Sequence, residues 1–324
     1  MKNKKIVIAG GTGFVGQELA NWFGPGNNIT ILTRGRANAT NNAYHAADAA
    51  ATYVQWDATS LGDWAKVLEG ADLLINLTGK SVNCRYTAKN KAAIISSRVN
   101  ATKVLGLAVQ QATLPPKLWI NAASATIYRH ATDRPQDELT GEIENDFSVQ
   151  VCKQWEAAFY EQRTPFTRKV ALRMAIVLGK GGVMVPYCNL LKFALGGHQG
   201  NGQQMYSWVH SADVCRMVEW LFDHPEIEGT YNCSSPNPVT NKQFMQTLRK
   251  ATGHHIGLPA PAWMLQMGAA IIGTETELLL KSRWVVPTKI LQEGFIFKYP
   301  QLPDAIEQII AQLPRKAYHL FGND

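Results

Sequence analysis

A glycine-rich turn near the start of the chain, GGTGFVG at residues 10–16, is the segment whose residue types most directly predict chemistry. Its glycines would let the backbone turn tightly and approach a pyrophosphate, whose charge is favoured by the free amides and dipole of a helix N-terminus. An apolar run precedes the turn and a helical pattern follows it, which is the context that a dinucleotide site requires. The residues expected to contact the dinucleotide are Gly10, Thr12, Gly13, Phe14, Val15 and Gly16.

The residues about twenty positions further on predict which dinucleotide binds. A site that prefers NAD places Asp or Glu at the end of the second strand, beside the ribose 2′-hydroxyl. This chain has Thr33 and Arg34 there, with Arg36 close behind. A guanidinium at this position would pair with a 2′-phosphate, so we expect the cofactor to be NADP(H). The alternative is an arginine that is merely exposed on a turn.

Short β-branched runs alternate with helical patterns, and this alternation is typical of βαβ units in a parallel sheet. Strands are predicted at residues 5–9, 29–32, 53–55, 73–76, 118–121, 170–173 and 231–233. Helices are predicted at residues 14–23, 61–68, 88–111, 147–162, 241–251, 262–272 and 276–281. The expected fold class is α/β, a Rossmann-type doubly wound parallel sheet with a smaller, mostly helical C-terminal subdomain. The dinucleotide-binding domain would span residues 1–179, with its sheet completed by about 208–233, and the substrate subdomain would span 180–324.

Charge is unevenly distributed along the chain, whose 32 basic and 25 acidic residues give a net charge of +7. Residues 73–132 contain eight Lys or Arg and no acid, and residues 162–212 contain six and no acid. These stretches follow the fourth, fifth and sixth predicted strands, whose carboxyl ends form the ligand crevice of an open α/β sheet. We therefore expect a small anionic substrate rather than nucleic acid, because no reading helix or array of aromatic and basic residues is evident.

Composition excludes several other classes of protein. The 324 residues are 46% hydrophobic and 18% charged, so the chain can bury a large core and is not disordered overall. Its five cysteines include no CxxC pair and its eight histidines form no cluster with ligand spacing, so neither a disulfide framework nor a metal site is expected. No signal peptide or membrane span is evident, and a reducing cytoplasm is the expected location.

Further motifs resemble the extended short-chain dehydrogenase/reductase superfamily. They are the GxxGxxG spacing, NLTG at residues 76–79, SATIY at 124–128 and SWVHSAD at 207–213. The chain resembles most an atypical epimerase-family branch, labelled cell-division-inhibitor-like, through SR at 97–98, WE at 155–156, LRMAIVLG and ALGGHQGNGQQMYSWVHSAD. This resemblance implies NAD(P) binding and allows a homodimer formed by the two long helices. It also implies cofactor contacts from Asp57, Leu77, Thr78, Gly79 and Arg98.

The catalytic residues of that superfamily are not all present. Its members use a Tyr that transfers a proton and a Lys, four residues later, that lowers the Tyr pKa and holds the nicotinamide ribose. Alignment on the WE motif places Lys153 at the lysine position, as a catalytic and cofactor residue, but Val149 at the tyrosine position. None of the ten tyrosines in the sequence has Lys at +4. The usual pair is therefore missing from this sequence.

Other residues must supply the proton if the protein is an enzyme. Tyr128 is the first candidate, four residues after Ser124, which keeps the family position of the catalytic Ser or Thr, and Tyr86 is the second. The alternative role of both tyrosines is packing or substrate contact, and we expect Arg85 and Tyr86 at the substrate. Ser124 has local hydrogen bonding as its alternative role. His210 is assigned to the substrate, the alternative being a capping or packing role.

Two functions are consistent with these observations. The first is an NADP(H)-binding epimerase or reductase that lacks the Tyr-x-x-x-Lys pair and acts on a small anionic substrate. The second is a redox sensor or scaffold that binds NADP(H) without turning it over. Reductase turnover with carbonyl compounds separates the two.

Overall fold

Seven parallel strands form the central sheet of the computed structural model, which describes residues 1–35, 51–262, 275 and 277–320. The strands are β1 (Lys5–Ala9), β2 (Asn28–Thr33), β3 (Thr52–Gln55), β4 (Leu73–Asn76), β5 (Leu118–Ser124), β6 (Arg168–Met174) and β10 (Gly229–Cys233). Their order across the sheet is β10-β6-β5-β4-β1-β2-β3. The chain builds outward from β1 to β3 and then crosses back to β4, so a topological switch point lies between β1 and β4. The predicted Rossmann-type fold class is confirmed.

The strands form because runs of apolar and β-branched residues are buried on both faces of the sheet. In β1, Ile6 and Ile8 belong to one core cluster, Val7 and Ala9 belong to another, and all four are fully buried. The first face is covered by α1 (Phe14–Phe23) and α5 (Ser211–Asp223), and the second by α2 (Ala88–Gln111) and α3 (Phe147–Tyr160). Helices on both faces of the sheet thus hold the carboxyl ends of its parallel strands at one edge of the sheet.

The C-terminal part of the chain has a core of its own. Trp208, Phe244 and Ile306 lie at its centre and are fully buried. Two small sheets join it, one pairing β7 (Ile176–Leu178) with β9 (Trp208–His210) and one pairing β8 (Met205–Tyr206) with β11 (Val239–Thr240). The described helices here are α4 (Met184–Lys192), α6 (Asn241–Thr252), α7 (Glu277–Leu280), α8 (Thr288–Gln292) and α9 (Leu302–Ala311).

The chain crosses between its two parts more than once. β9 pairs with β7 outside the main sheet, α5 then covers the main sheet, and β10 completes that sheet beside β6. Residues 61–68, predicted as a helix, form a 3-10 helix over Asp63–Leu68. Residues 263–272 of the helix predicted at 262–272 lie outside the described residues.

One described helix, α2, is long and apolar enough to cross a membrane by length and composition alone. Its residues Ile94, Ala101, Val104 and Leu105 are buried inside this protein, where α2 packs against α3. A core helix of a soluble protein passes the same test. The length and composition of α2 therefore do not by themselves assign this helix to a membrane.

Candidate functional site

The glycine-rich turn lies at the carboxyl end of β1, beside the switch point, and close packing explains two of its glycines. Gly10 has a φ of +77°, and a Cβ there would lie 2.9 Å from the carbonyl carbon of Leu77, just after β4. A Cβ on Gly16 would overlap the Cα of Gly11. These two glycines therefore allow β1, α1 and the loop after β4 to approach one another.

The middle glycine has space beside it. The backbone of Gly13 has φ −78° and ψ 169°, and a Cβ there would meet only the Gly10 carbonyl oxygen, at 3.6 Å. α1 begins directly after Gly13, and no side chain caps its first amides, which are those of Phe14, Val15 and Gly16. A pyrophosphate fits this position, because it would accept hydrogen bonds from those amides at the positive end of the helix dipole.

The two remaining side chains of the turn differ in their surroundings. Thr12 is exposed at the tip of the turn. The ring of Phe14 packs against Gly179 and Gly182, where an added Cβ would come within 2.6 and 2.9 Å of ring atoms. Phe14 therefore connects the glycine-rich turn to the loop after β7, and its contact with a dinucleotide would come from its backbone amide.

Thr33 and Arg34 lie where β2 ends, next to the end of β3. Thr33 is opposite Gln55 in the parallel register, and its hydroxyl accepts a hydrogen bond from the Gly35 amide at 3.2 Å. Arg34 is exposed at this edge of the sheet, so its guanidinium is open to a phosphate. Arg36 lies outside the described residues.

Asp57 follows β3 at the same edge and carries an ordered carboxylate. Its Oδ1 accepts hydrogen bonds from the amides of Thr59 and Ser60 at 2.7 and 2.8 Å, and its Oδ2 accepts one from the Ser60 hydroxyl. The Ser60 hydroxyl and these amides hold the pKa of Asp57 well below its usual range. An ionised carboxylate fixed in this turn fits the adenine contact that the resemblance implies.

The loop after β4 is held by a buried polar cluster. The Leu77 amide donates to the end of β1 at 2.8 Å, and the Thr78 amide donates to Asn76 Oδ1 at 3.0 Å. Asn76 in turn donates to Asn121 Oδ1 at 2.7 Å, which joins the ends of β4 and β5. The Thr78 hydroxyl is buried and has no hydrogen-bond partner in the described structure. Such an orphaned hydroxyl is expected where a ligand completes the bonding.

Arg98 of α2 packs against this loop. A Cβ added to Gly79 would lie 2.9 Å from the guanidinium carbon of Arg98. One of its nitrogens, Nη1, donates to the carbonyls of Lys80 and Ile94 at 3.1 and 2.9 Å, and the guanidinium lies 5.1 Å from the centre of the Trp155 ring. Burial lowers the pKa of Arg98. These contacts show that Arg98 fixes the loop after β4, and its contact with a cofactor stays a prediction.

Ser124 ends β5 and faces Cys152 on α3. Its hydroxyl oxygen accepts a hydrogen bond from the Thr126 amide at 3.2 Å. Burial raises the pKa of the Cys152 thiol to about 12, so the sulfur is uncharged at neutral pH. Ser148 lies one helical turn before Cys152 and is buried as well. Ser148 and Cys152 thus share the buried face of α3.

The placement of Lys153 corrects the prediction made for it. Lys153 is exposed and donates a hydrogen bond to Asn145 Oδ1 at 3.2 Å. Its neighbour Cys152 takes the position that faces Ser124. Successive residues of an α-helix are rotated by about 100° around the helix axis. An alignment that is one residue too late therefore assigns the lysine role to a side chain that faces solvent. Lys153 is therefore not placed to hold a nicotinamide ribose.

The Tyr128 side chain is buried and hydrogen-bonded inside the protein. Its side chain is 2% exposed, and its hydroxyl donates to Asn232 Oδ1 at 3.0 Å while accepting from Arg173 Nη1 at 2.9 Å. Arg173 forms a two-bond ion pair with Glu156, at 2.7 and 2.8 Å. Burial raises the pKa of Tyr128. This network gives Tyr128 a structural role and does not support its prediction as the proton donor.

His210 is also structural, which corrects its assignment to the substrate. Its ring is buried, and Nδ1 accepts a hydrogen bond from the Ala212 amide at 3.0 Å, so His210 caps the N-terminus of α5. Nε2 therefore carries the proton and donates to Gln308 Oε1 at 2.8 Å. Burial lowers the pKa of His210 and favours this neutral form.

Tyr86 and Arg85 lie on the loop after β4, near the N-terminus of α3. The Tyr86 ring meets Phe147 edge to face, with centres 4.9 Å apart, and burial raises the pKa of Tyr86. The Tyr86 amide donates to Glu275 Oε1 at 2.7 Å, and Arg85 Nη1 lies 3.9 Å from Glu275 Oε2. The structure thus brings Tyr86 to the start of α3 and places Arg85 beside Glu275.

Two basic residues that sequence reasoning missed approach this site from the C-terminal part. Lys281 is buried and donates to Asp146 Oδ2 at 2.7 Å, at the N-cap of α3. Arg283 Nε donates to Thr126 Oγ1 at 3.2 Å, in the turn that follows Ser124. Both positions therefore connect the C-terminal part to the end of β5 and the start of α3.

The described residues include no other group with obvious metal or redox chemistry. All five cysteines are free thiols, and four of them are buried. Among the described side chains, no group of three or more His, Cys, Asp or Glu is placed to hold a metal ion.

Comparison with known proteins agrees with this arrangement. Residues 6–234 match the model of the NAD dependent epimerase/dehydratase family. The chain belongs to that family. Residues 260–309 match a domain of unknown function, DUF1731, and the epimerase family protein YfhF of Bacillus subtilis is 32% identical over 94% of this chain and 98% of its own length. The resemblance to epimerase-family proteins is therefore confirmed.

Solved structures of other proteins show the same fold. The human epimerase family protein SDR39U1, crystallised with NADPH, superimposes with a TM-score of 0.82 at 26% identity, covering 95% of this chain and 99% of its own. MoeE5, in complex with UDP-glucose and NAD, superimposes with a TM-score of 0.73 at 17% identity, covering 95% and 97%. The second comparison shows a likeness of fold alone.

One signal in the sequence was available to place α3 correctly in this epimerase family protein. Val149, Cys152, Trp155 and Phe159 recur at helical spacing and are all buried in the structure. That stripe puts Cys152 on the inner face and Lys153 beside it on the outer face. No comparable pattern marks Lys281 or Arg283, because their approach depends on the path of the C-terminal chain.

Proposed function

We propose that this protein binds NADP(H) across the carboxyl ends of β1, β2 and β4 and acts as an epimerase or reductase. The observation that carries the proposal is the space beside Gly13 at the uncapped start of α1, which suits a pyrophosphate. Arg34, exposed where an NAD-preferring site would have an acid, favours the 2′-phosphate. The NADPH bound in the crystal structure of human SDR39U1 supports the same cofactor.

Three groups of residues would each bind one part of the cofactor. The α1 amides would hold the pyrophosphate, Arg34 and Asp57 the adenosine end, and Thr78 would complete its hydrogen bonding at the nicotinamide end. When bound, the reduced dinucleotide supplies a hydride to a carbonyl carbon and is itself oxidised. Ser124 would donate a hydrogen bond to the carbonyl oxygen and so orient it.

A small anionic substrate is the second part of the proposal. Arg85 Nη1 lies 3.9 Å from Glu275, which also accepts a hydrogen bond from the Tyr86 amide, and Arg283 Nε donates to Thr126 in the turn that follows Ser124. Guanidinium groups bind carboxylates and phosphates through paired hydrogen bonds, so they favour a substrate that carries such a group. The acid-free stretches of sequence supply part of this field.

A second candidate function is a redox sensor or scaffold that binds NADP(H) without turning it over. The observation that favours it is that the resemblance places Val149 and Lys153 at the positions of Tyr and Lys, while Ser148 and Cys152 lie one residue earlier on the buried face of α3. Neither Ser148 nor Cys152 matches the usual pair in charge or acidity. Turnover of any carbonyl compound by the purified protein would exclude this alternative.

Cellular location and assembly belong to the same proposal. The five free cysteines suit a reducing compartment, and we propose the cytoplasm. We also propose that the solvent-facing sides of α2 and α3 pair two copies as a homodimer, which light scattering would measure.

Titration of the purified protein with NADPH and NADH tests the cofactor assignment. We expect tighter binding of NADPH, and Arg34→Ala should weaken NADPH binding by about 10- to 100-fold while NADH binding changes by less than about two-fold. Arg163→Ala, an exposed arginine before β6, is the matched control and should change neither. Equal affinity for the two dinucleotides, or an Arg34→Ala variant that keeps its NADPH affinity, would refute the assignment.

A further inference from the structure

We propose that the C-terminal part of the protein binds the surface of membranes that contain anionic lipids, through an exposed apolar patch with basic surroundings. The patch consists of four side chains on two loops, Phe193 and Leu195 after α4 and Ile256 and Leu258 after α6. The inference goes beyond the proposed function, because none of these residues belongs to the cofactor site. Binding would be peripheral, without a membrane-spanning segment.

The four side chains of the patch are not covered by the described part of the chain. Phe193 is 63% exposed, Leu195 39%, Ile256 67% and Leu258 55%. Single exposed apolar residues are common on protein surfaces, but a contiguous group of them marks an interaction surface. Three of the four are more than half exposed, so they stand out from the surface and do not line a groove.

Backbone hydrogen bonds hold the two loops side by side. The Leu258 amide donates to the Ala194 carbonyl at 2.8 Å, and the Gly197 amide donates to the Leu258 carbonyl at 3.1 Å. A Cβ added to Gly197 would overlap the carbonyl carbon of Leu258, so the two backbones are in direct contact. The four apolar side chains are therefore carried by one connected piece of backbone.

The chain around the patch is basic. Residues 184–202 and 241–262, which span α4, α6 and the two loops, contain four Lys or Arg and no acid. Arg249 Nη1 donates to the Gly196 carbonyl at 2.7 Å, where the two loops meet, and Lys250 beside it is exposed. The ion pairs between described residues all lie outside these two segments.

Charge complementarity indicates what covers the patch. Peripheral proteins bind anionic membranes by placing apolar side chains at the boundary of the acyl chains while Lys and Arg meet the headgroups. The patch has both components, and apolar side chains that stand out from loops suit a soft lipid surface. A second copy of this chain would bring the same positive charge to the patch, which opposes symmetric pairing.

Co-sedimentation with vesicles tests the proposal. The protein is mixed with vesicles of phosphatidylcholine alone, or with vesicles that also contain about 30% phosphatidylglycerol, which is anionic. We expect it to sediment with the anionic vesicles only. Binding should weaken at high salt, because dissolved ions screen the attraction between Lys or Arg and the headgroups.

Four variants locate the binding surface. Phe193→Ser should weaken vesicle binding about 10-fold or more, because it removes a large apolar side chain. Lys250→Glu should weaken it about 5-fold or more, because it reverses one charge at the membrane. The matched controls are Phe166→Ser, at a phenylalanine that is 83% exposed before β6, and Lys2→Glu, at an exposed lysine before β1. Both controls should bind as the wild type does, and circular dichroism checks that all four variants fold.

Three results would overturn the proposal. The first is no sedimentation with anionic vesicles, and the second is sedimentation that survives both Phe193→Ser and Lys250→Glu. The third is binding of soluble polyglutamate, weakened by Lys250→Glu, without binding of vesicles, which would assign the patch to an acidic protein. None of these results depends on NADPH binding, so the cofactor assignment is tested separately.

Discussion

At the scale of single residues, alanine substitutions at Gly13 and Gly16 should affect different properties. The first should weaken cofactor binding, and the second should lower folding stability. Gly13→Ala should change the free energy of unfolding by less than about 1 kcal/mol, because its backbone is extended and the added Cβ meets only one atom, at 3.6 Å. The methyl group would occupy the space of the pyrophosphate, so NADPH affinity should fall at least about 10-fold. Urea denaturation and NADPH fluorescence titration measure the two effects.

Gly16→Ala is the matched comparison. Its Cβ would overlap the backbone of Gly11, so this variant should lose about 1–3 kcal/mol of folding stability or fail to fold. A Gly13→Ala variant that binds NADPH as tightly as the parent would remove the pyrophosphate from this turn.

Residue types are more informative at the glycine-rich turn than at the predicted catalytic residues. The glycine spacing has a direct physical cause. At Gly10 and Gly16 the backbone packs so closely that any residue with a Cβ would clash. Tyr128 and His210 show the opposite case. Both residue types are common in catalysis, but their hydrogen bonds inside the protein, to Arg173 and Gln308 among others, are not visible in the sequence.

At the scale of elements, a buried polar network ties α3 to the sheet. Glu156 of α3 pairs with Arg173 of β6, and Arg173 binds the Tyr128 hydroxyl, which also reaches Asn232 of β10. The side chains of the ion pair are only 12% and 13% exposed. Removal of any one member leaves buried partners unsatisfied.

The size of the loss should depend on the charge that is left behind. Glu156→Ala should cost about 3–5 kcal/mol, since it leaves a buried guanidinium unpaired, and Tyr128→Phe about 1–3 kcal/mol. NADPH affinity of the folded Tyr128→Phe variant should stay within about two-fold. A large loss of turnover in Tyr128→Phe without loss of stability would return Tyr128 to the mechanism.

The cap of α5 should make folding stability depend on pH. Burial lowers the pKa of His210 in the folded state, so the unfolded chain takes up the proton first. The stabilisation is fully present above the ordinary histidine pKa of about 6.5 and is lost as the pH falls through the folded pKa. His210→Asn, which can still cap the helix, should lack this loss.

Denaturation at pH 7.5, 6.5 and 5.5 measures the effect. The difference in unfolding free energy between wild type and His210→Asn should shrink or reverse toward pH 5.5. His255→Asn, at an exposed histidine, is the control and should follow the wild type. Parallel pH dependence in wild type and His210→Asn would show that His210 is not the neutral cap described.

At the scale of the whole molecule, charge cannot be assigned from the sequence alone. Arg129, in the longer acid-free stretch, is paired with Asp133 and Glu142. Arg173, in the other, is paired with Glu156. Acids from the segment between the two stretches thus neutralise part of the predicted positive field. Arg98 of the first stretch is held at the loop after β4, near the candidate site.

The fold itself was predictable because its signals are local. Strands such as β1 and β2 are short runs rich in apolar and β-branched residues, and their alternation with helices indicates parallel pairing. The contribution of the C-terminal part was not predictable, because Lys281 and Arg283 reach α3 and the end of β5 through contacts with residues about 130 to 160 positions earlier.

A crystal structure of the protein with NADPH tests the central claim most directly. The account predicts the pyrophosphate on the α1 amides beside Gly13, the 2′-phosphate within hydrogen-bond reach of Arg34, and the nicotinamide ring beside Ser124. NADPH bound elsewhere, or bound with its nicotinamide ring away from Ser124, would contradict it.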